Sequence, residues 1–311
     1  MNWKTRKERS NQFTVQLARR LTQVLPRRVG RWLLFPTALY FVITTPKARE
    51  ASLQFLEVVL PEPPGLLQVF KHYLYFATVV MDRAYLLRGD LAGFRVESVG
   101  EDLVEAVRLS GRGGFLIGAH LGSFEALRAL GRERIEHPRI VMVMYEENAR
   151  MINEALAMLN PDLQQDVIGL GQADSMIRVK HALDAGALAG ILADRLLDTE
   201  SSPADQRIVP FLGRPAAFPT GPFRMAALLK RPMVLMLGIY LGANRYRLVF
   251  ENLYDFSQVT GNRQAAIDEA LHLYVARIEH YSRTYPYNWF NFFDIWESAN
   301  PVAAGEKIQP A

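Results

Sequence analysis

The chain has 311 residues, half of them hydrophobic, a mean hydropathy near zero, a net charge of +4 and no cysteine. That length suits one large α/β domain or two small ones. The absence of cysteine excludes disulfides, thiolate metal sites and a cysteine nucleophile. Charge is concentrated at the start. Residues 1–31 hold nine basic side chains (Lys4, Arg6, Lys7, Arg9, Arg19, Arg20, Arg27, Arg28 and Arg31) against one acid, Glu8. This excess of eight is larger than the total of +4, so the remaining residues sum to −4. A basic end followed by apolar sequence points to anionic lipid headgroups. Nucleic acid is not expected as a partner, because the chain has no RNA- or DNA-binding motif and no interleaved aromatic and basic stripe.

In chain order, Gln12–Leu25 reads as a basic amphipathic helix. The run Trp32–Thr45 follows, fourteen uncharged residues interrupted by Pro36. A spanning helix needs about 20, and the run starts too late, with no small-residue cleavage site, to be a signal peptide. It predicts a helix lying in or dipping into a bilayer interface; a buried core helix is the competing reading. Lys47–Leu60 and Leu66–Leu87 are two further helices, separated by the break Pro61-Glu-Pro-Pro-Gly65.

At about Gly111 the pattern changes. Strands are expected at Gly114–Ala119, Arg139–Tyr145, Val167–Leu170, Leu188–Ala193, Pro232–Tyr240 and Tyr246–Glu251. Helices are expected at Phe124–Leu130, Asn148–Leu159, Asp174–Asp184, Pro222–Leu229 and Arg263–Tyr285. Such alternation implies an α/β fold with a mostly parallel central sheet flanked by helices. The simplest organisation is a helical N-terminal extension, residues 1–110, continuous with an α/β domain, residues 111–311.

The run Gly114–Ala119 delivers His120 to a strand tip, where open α/β sheets bind ligands. Glu125 follows in the first turn of the next expected helix. A carboxylate can accept the imidazole N–H, fix the tautomer and raise basicity, which suits removing a proton from a hydroxyl. A hydrogen-bonded structural histidine is the competing reading. Asp194-Arg195 closes the apolar run Ala187–Ala193 and so falls on the same sheet edge. An arginine there can hold a phosphate or polarise a carbonyl; a surface ion pair is the alternative. Val209–Ala216 and Phe218–Met225 read as a turn-rich loop entering a helix, capped by Thr220 or Gly221 with Pro222 at its first position. Such an N-terminus receives anions.

The chain has no nucleophile elbow, Walker loop or dinucleotide fingerprint, and Ser123 is not placed as a nucleophile. His72, His137, His181, His272 and His280 lack ligand spacing, so no metal is expected. The aromatic tail Tyr285–Trp296 suits core packing, ahead of lining an acyl groove or anchoring at an interface.

Together these blocks resemble the bacterial lipid A biosynthesis acyltransferase family, within the wider lysophospholipid acyltransferase-like group. The matching pieces are the basic and apolar N-terminus, Gly118-Ala-His-Leu-Gly-Ser-Phe-Glu125 as the H-x4-E/D motif, Ala187–Arg195, Val209–Ala216 with Pro219-Thr-Gly221, and the Trp-containing tail. The chain looks closer to divergent members that accompany aryl-polyene or similar lipid-pigment pathways than to the lipid A enzymes proper. The resemblance implies a glycerolipid acyltransferase-like fold. It also implies transfer of a fatty acyl group from acyl carrier protein, or from CoA, to a hydroxyl of a membrane lipid at the cytoplasmic face of a bacterial inner membrane. No cofactor, metal or covalent enzyme intermediate is implied. His120 would be the general base and Glu125 its orienting partner. Ser123, Arg150, Asp194, Arg195, Gly213 and Thr220, in or beside the matching blocks, would contact substrate. Two departures stand out. The family commonly has Tyr-Arg-Pro where this chain has Tyr145-Glu-Glu-Asn148, and Asp-Gln where it has Asp194-Arg195. The first replaces a candidate oxyanion-stabilising arginine by acid, and Arg150 or Arg195 would have to substitute. It also motivates an alternative of another class, a non-catalytic lipid-binding or scaffold protein; a thioester hydrolase, with His120 activating water, is a third.

Overall fold

The strand runs Gly114-Phe-Leu-Ile-Gly118 and Leu188-Ala-Gly-Ile-Leu192 are apolar on both faces, which suits interior strands of a sheet covered on both sides. A computed structural model describes residues 27–87, 89–124, 126, 139–145, 167–196 and 205–297. It places these runs side by side at the heart of a seven-stranded sheet. The strands are β1 (Arg95–Val99), β2 (Gly114–Gly118), β3 (Ile140–Tyr145), β4 (Val167–Leu170), β5 (Leu188–Leu192), β8 (Pro232–Gly242) and β9 (Arg245–Asp255), with β6 (Gln206–Phe211) and β7 (Arg214–Pro219) forming a separate hairpin. The sheet order is β1-β9-β8-β2-β5-β3-β4. β2, β3, β4, β5 and β8 run parallel; β9 returns antiparallel to β8, and β1 runs parallel to β9. The fold is therefore α/β, with a mostly parallel central sheet flanked by helices.

The helices are α1 (Arg27–Thr44), α2 (Pro46–Val59), α3 (Leu66–Leu87), α4 (Glu101–Leu109), α5 (Ser175–Asp184), α6 (Gly221–Leu229) and α7 (Arg263–Thr284). The expected helices Gln12–Leu25 and Asn148–Leu159 lie outside the described residues, as does most of Phe124–Leu130. Two elements differ from the sequence pattern. β1 precedes Gly111 and pairs with β9, so the sheet begins before the change of pattern; its five residues alternate between exposed and half-buried and carry little apolar signal. The segment Val209–Ala216, read as a loop, is instead the β6–β7 hairpin. Pro210 and Pro215 stand opposite each other one pair beyond Phe211 and Arg214, which flank the turn. In a two-residue hairpin that pair makes no ladder hydrogen bond, so the two prolines cost nothing there. The turn residues Leu212 and Gly213 both take positive φ, at 55° and 81°, as a type I′ turn requires. The Leu212 N–H donates to Glu279 Oε2 of α7 at 2.8 Å.

α1 does not enter the core. Between Trp32 and Thr45 only Ala38 and Val42 are buried, while Trp32 is 75% exposed and Leu33, Phe35, Leu39, Tyr40, Phe41 and Ile43 also face outward. The competing core reading is thus not what the fold shows. Among the described residues no helix is long and apolar enough to cross a membrane. The inner stripe of α1 packs on α3. It is pinned by Arg27, which donates to buried Asp82 from Nε at 3.1 Å and Nη2 at 2.8 Å, while Tyr246 of β9 donates to the other Asp82 oxygen at 2.9 Å.

A second buried link ties the N-terminal helices to the C-terminal tail. His72 of α3 is fully buried between Ser52 Oγ, 2.8 Å from Nδ1, and the Trp289 carbonyl, 2.6 Å from Nε2. A carbonyl only accepts, so Nε2 carries the proton and Nδ1 accepts from the Ser52 hydroxyl. Burial pushes the His72 pKa down to about 4, against a smaller upward pull from the Trp289 carbonyl. The unfolded chain therefore binds this proton more readily than the native one. The stabilisation is complete above about 6.5 and is lost as pH falls towards 4, up to about 3 kcal/mol from this group. Denaturation midpoints should fall steeply between pH 6.5 and 4. His72→Gln, which keeps a donor for Trp289 but cannot titrate, should flatten that part of the profile; an unchanged profile would contradict the assignment.

Candidate active site

The register of two parallel neighbours builds the site. Gly118 of β2 stands opposite Leu192 of β5, so two residues on, at the carboxyl ends of both strands, His120 meets Asp194. The His120 backbone N–H donates to Asp194 Oδ2 at 3.0 Å, and His120 Nδ1 lies 2.9 Å from Asp194 Oδ1. The Asp194 side chain is fully buried, whereas 33% of the His120 side chain is exposed. An ionised carboxylate only accepts, so Nδ1 carries the proton and Nε2 holds the ring's lone pair.

Burial is the largest influence on Asp194 and opposes its charge. The His120 charge and hydrogen bond, the Arg195 charge and the Asn291 N–H together outweigh it and hold the carboxyl down, to about 2. Asn291 Nδ2 donates to Asp194 Oδ2 at 2.8 Å. Arg195 Nε donates to Asn291 Oδ1 at 2.7 Å, and its Nη2 to the Phe290 carbonyl at 3.1 Å. Beneath the site, buried Tyr274 of α7 donates to the Gly118 carbonyl at 2.8 Å, and burial raises its phenol well above the usual range.

The loop carrying His120 is clamped from one side by the tail and from the other by β8. Phe290 N–H donates to the His120 carbonyl at 2.7 Å, and Gly122 N–H to the Asn288 carbonyl at 2.8 Å. Asn288 in turn reads the Tyr240 backbone, accepting from its N–H at 2.8 Å and donating to its carbonyl at 3.1 Å. Ser123 N–H donates to the Gly238 carbonyl at 2.7 Å. This close approach explains Gly122. Its φ is +79°, and a Cβ there would overlap the Gly238 carbonyl oxygen and lie 2.7 Å from its carbon.

Of the expected site residues, the structure brings His120, Asp194 and Arg195 into one network. Ser123 is buried, and its hydroxyl accepts from Ala126 N–H at 3.1 Å. Gly213 occupies the β6–β7 turn. Thr220, also buried, begins α6, its N–H donating to the Asp205 carbonyl at 2.9 Å. Glu125 and Arg150 lie outside the described residues. Two residues of the network, Asn288 and Asn291, are ones that sequence reasoning passed over within the aromatic tail. Their signal is two amides in a block rich in aromatics, each 2% exposed or less; buried amides need partners. Among the described residues no cluster of three acids or histidines suited to a metal occurs.

An α/β sheet with an acid-supported histidine at a central strand tip suits base-catalysed group transfer. Residues 13–291 match the model of the bacterial lipid A biosynthesis acyltransferase family. The match covers most of the chain and runs through the whole His120 network, and the chain belongs to that family; it is a lipid acyltransferase. No curated protein matches. Among solved structures, the crystal structure of the 1-acyl-sn-glycerophosphate (LPA) acyltransferase, PlsC, from Thermotoga maritima is similar at 12% identity, covering 82% of this chain and 98% of that one, with a TM-score of 0.36.

The two glycine turns provide a contrast. Gly122→Ala should destabilise the chain by at least ~2 kcal/mol and abolish activity, because strain at positive φ adds to a backbone overlap. Gly213→Ala, at equally positive φ but with nothing within 4 Å of the new carbon, should cost about 1 kcal/mol and spare activity. Thermal melts with an acyl-transfer assay read both; equal behaviour of the two variants would contradict the clamp.

Proposed function

We propose that the chain moves a fatty acyl group from a thioester, acyl carrier protein being the favoured donor and CoA the other, to a hydroxyl of a lipid acceptor. His120 is the general base. The observation that carries this reading is the orientation of His120: ionised Asp194 holds Nδ1–H, leaving Nε2 as the basic nitrogen of a partly exposed ring at a strand tip. In the reaction Nε2 takes the hydroxyl proton as the acceptor oxygen attacks the thioester carbonyl. The tetrahedral intermediate collapses, the C–S bond breaks, and the imidazolium returns its proton to the leaving thiolate. Ester and free thiol result, with no cofactor consumed.

Glu125, five residues downstream and the orienting partner that the resemblance implies, lies outside the described residues. Asp194, seventy-four residues away in sequence, holds Nδ1, and in this reading it is the principal orienting group.

The N-terminal helices supply the lipid side. The outward faces of α1 and α3 expose Trp32, Leu39, Ile43, Leu66, Leu67 and Val80, more apolar surface than an isolated soluble face accounts for. Phe76 of α3, 39% exposed, lies against buried Phe290 with ring centroids 5.4 Å apart, so the outward apolar face packs directly onto the residue that holds His120. With the basic stretch of residues 1–31 leading into α1 in sequence, this face suits insertion into the cytoplasmic leaflet of a bacterial inner membrane, the depth at which an acyl acceptor lies.

Purified protein incubated with radiolabelled acyl–acyl carrier protein and a bacterial total-lipid extract should yield labelled lipid. His120→Ala should abolish the product, and Asp194→Asn should lower the rate by about 10²–10⁴-fold, more than Glu125→Ala. Wild-type rates for His120→Ala would overturn the assignment, and free fatty acid in place of labelled lipid would identify a hydrolase. Separately, Trp32→Asp combined with Leu39→Asp should reduce co-sedimentation with anionic vesicles at least about tenfold, since each apolar side chain contributes ~1.5–3 kcal/mol on burial. Retention of wild-type binding would remove α1 from the membrane contact.

A further inference from the structure

The tail residue Asn291 is only 1% exposed and sits between the two charged members of the site. Its amide does two things at once. Nδ2 donates to Asp194 Oδ2 at 2.8 Å, and Oδ1 accepts from Arg195 Nε at 2.7 Å. We infer that Asn291 is a positioning residue of the acyl-transfer site, its amide locking the Asp194 carboxylate in the orientation that faces His120 while fixing the Arg195 guanidinium beside it. This rests on the reading of His120 as base.

The chemistry at this position is restrictive. Asp194 Oδ2 already accepts from the His120 backbone N–H, and Oδ1 must stay turned to the ring. A second donor on Oδ2 opposes rotation of the carboxylate about its own axis. That donor must be neutral, because a cation in contact with Asp194 would compete with the imidazolium for its charge. The same side chain must accept from Arg195. An amide meets all three demands. An aspartate of the same shape would accept from Arg195 but face Asp194 with a second negative oxygen; a leucine would do neither.

The backbone places Asn291 without help from its side chain. Phe290 N–H holds the His120 carbonyl, and the Phe290 carbonyl accepts from Arg195 Nη2. Trp289 is buried against Phe211, with ring centroids 5.4 Å apart, and its carbonyl is held by His72. Replacing the amide should therefore leave the tail in place, and the effect should fall on chemistry. Loss of a group that orients a catalytic side chain typically costs 10–100-fold, as the outer partners of metal-bound histidines do.

Two variants of the full-length protein test this. In the radiolabelled acyl–acyl carrier protein and lipid-extract assay, Asn291→Leu should lower kcat about 10–100-fold with KM within about threefold. Asn291→Asp should show a defect that depends on pH. Two adjacent carboxyl groups share a proton on the acid side, and the protonated form restores the donor, so the ratio of variant to wild-type activity should rise as pH falls from 8 to 5.5. A readout independent of substrate is the low-field Nδ1–H proton resonance of His120, assigned by its absence in His120→Ala. It should shift or broaden in Asn291→Leu. Both variants within twofold of wild type with an unmoved resonance, or an Asn291→Asp defect that is constant with pH, would overturn the inference. Loss of folding in both would also overturn it, since the amide would then be a structural requirement. If His120→Ala retains activity, the base assignment fails instead, and the resonance still reports whether Asn291 holds Asp194.

Discussion

One buried negative charge, that of Asp194, organises the candidate site. Asp194 sits at the carboxyl end of β5 with no exposed side-chain surface, where an unpartnered carboxylate would be neutral rather than charged. It remains charged because three N–H groups reach it, from the His120 backbone, the His120 ring and the Asn291 amide. Each comes from a different requirement of the fold. The backbone donor exists because β2 and β5 are parallel neighbours in register. The ring donor exists because β2 ends two residues before His120. The amide donor exists because the tail crosses back over the same sheet edge. The fold is thus the supply of donors, and the ionised carboxylate is what gives the histidine its direction. A buried charge of this kind is a poor source of stability, and its place here is better understood through what it orients.

The tail makes the extension and the site one unit. Asn288 and Phe290 bond to the His120 loop, and Trp289 between them is held from behind by His72 on α3 and stacked on Phe55 of α2 with centroids 6.0 Å apart. α3, which presents apolar surface outward, therefore reaches the His120 loop through one buried imidazole and one indole. The helices with outward apolar faces are thus tied directly to the His120 site. If the acceptor is drawn from a bilayer, as proposed, this coupling sets the depth of His120 relative to the surface. Position errors of about an ångström at a reacting group are costly in rate.

Much of the sheet was legible in the sequence, and the reason is physical. Interior strands such as Gly114–Gly118 and Leu188–Leu192 are apolar on both faces, and their ends coincide with turn residues. β1 was not legible, because an edge strand half-exposed along its length carries no such run. The β6–β7 hairpin was hidden by its prolines, which fall at the pair where the ladder needs no N–H. For the site, His120 and Asp194 were both visible as residues closing strands, but their partnership was not. Asp194 becomes a neighbour of His120 only once β2 and β5 are known to be adjacent. Asn291 was obscured in another way: in a block of aromatics, one amide counts for little until the partners it must find are known.

The departure from the family pattern at Asp194-Arg195 gains a meaning from this geometry. Where the family usually has glutamine after the aspartate, this chain has a guanidinium that spends Nε on Asn291 Oδ1 and Nη2 on the Phe290 carbonyl. Both bonds run to the tail. Arg195 therefore ties the strand tip to the segment that clamps His120, and its charge also favours the ionised Asp194. The same two bonds restrict what else it can do. An arginine committed through two of its nitrogens to fixed acceptors has limited freedom to follow an oxyanion as it develops, and donors preorganised at the right distance are what such stabilisation requires. In the proposed reaction these bonds suit Arg195 to holding the tail and the carboxylate in place. The oxyanion donor is then better sought among groups not already spent on the clamp.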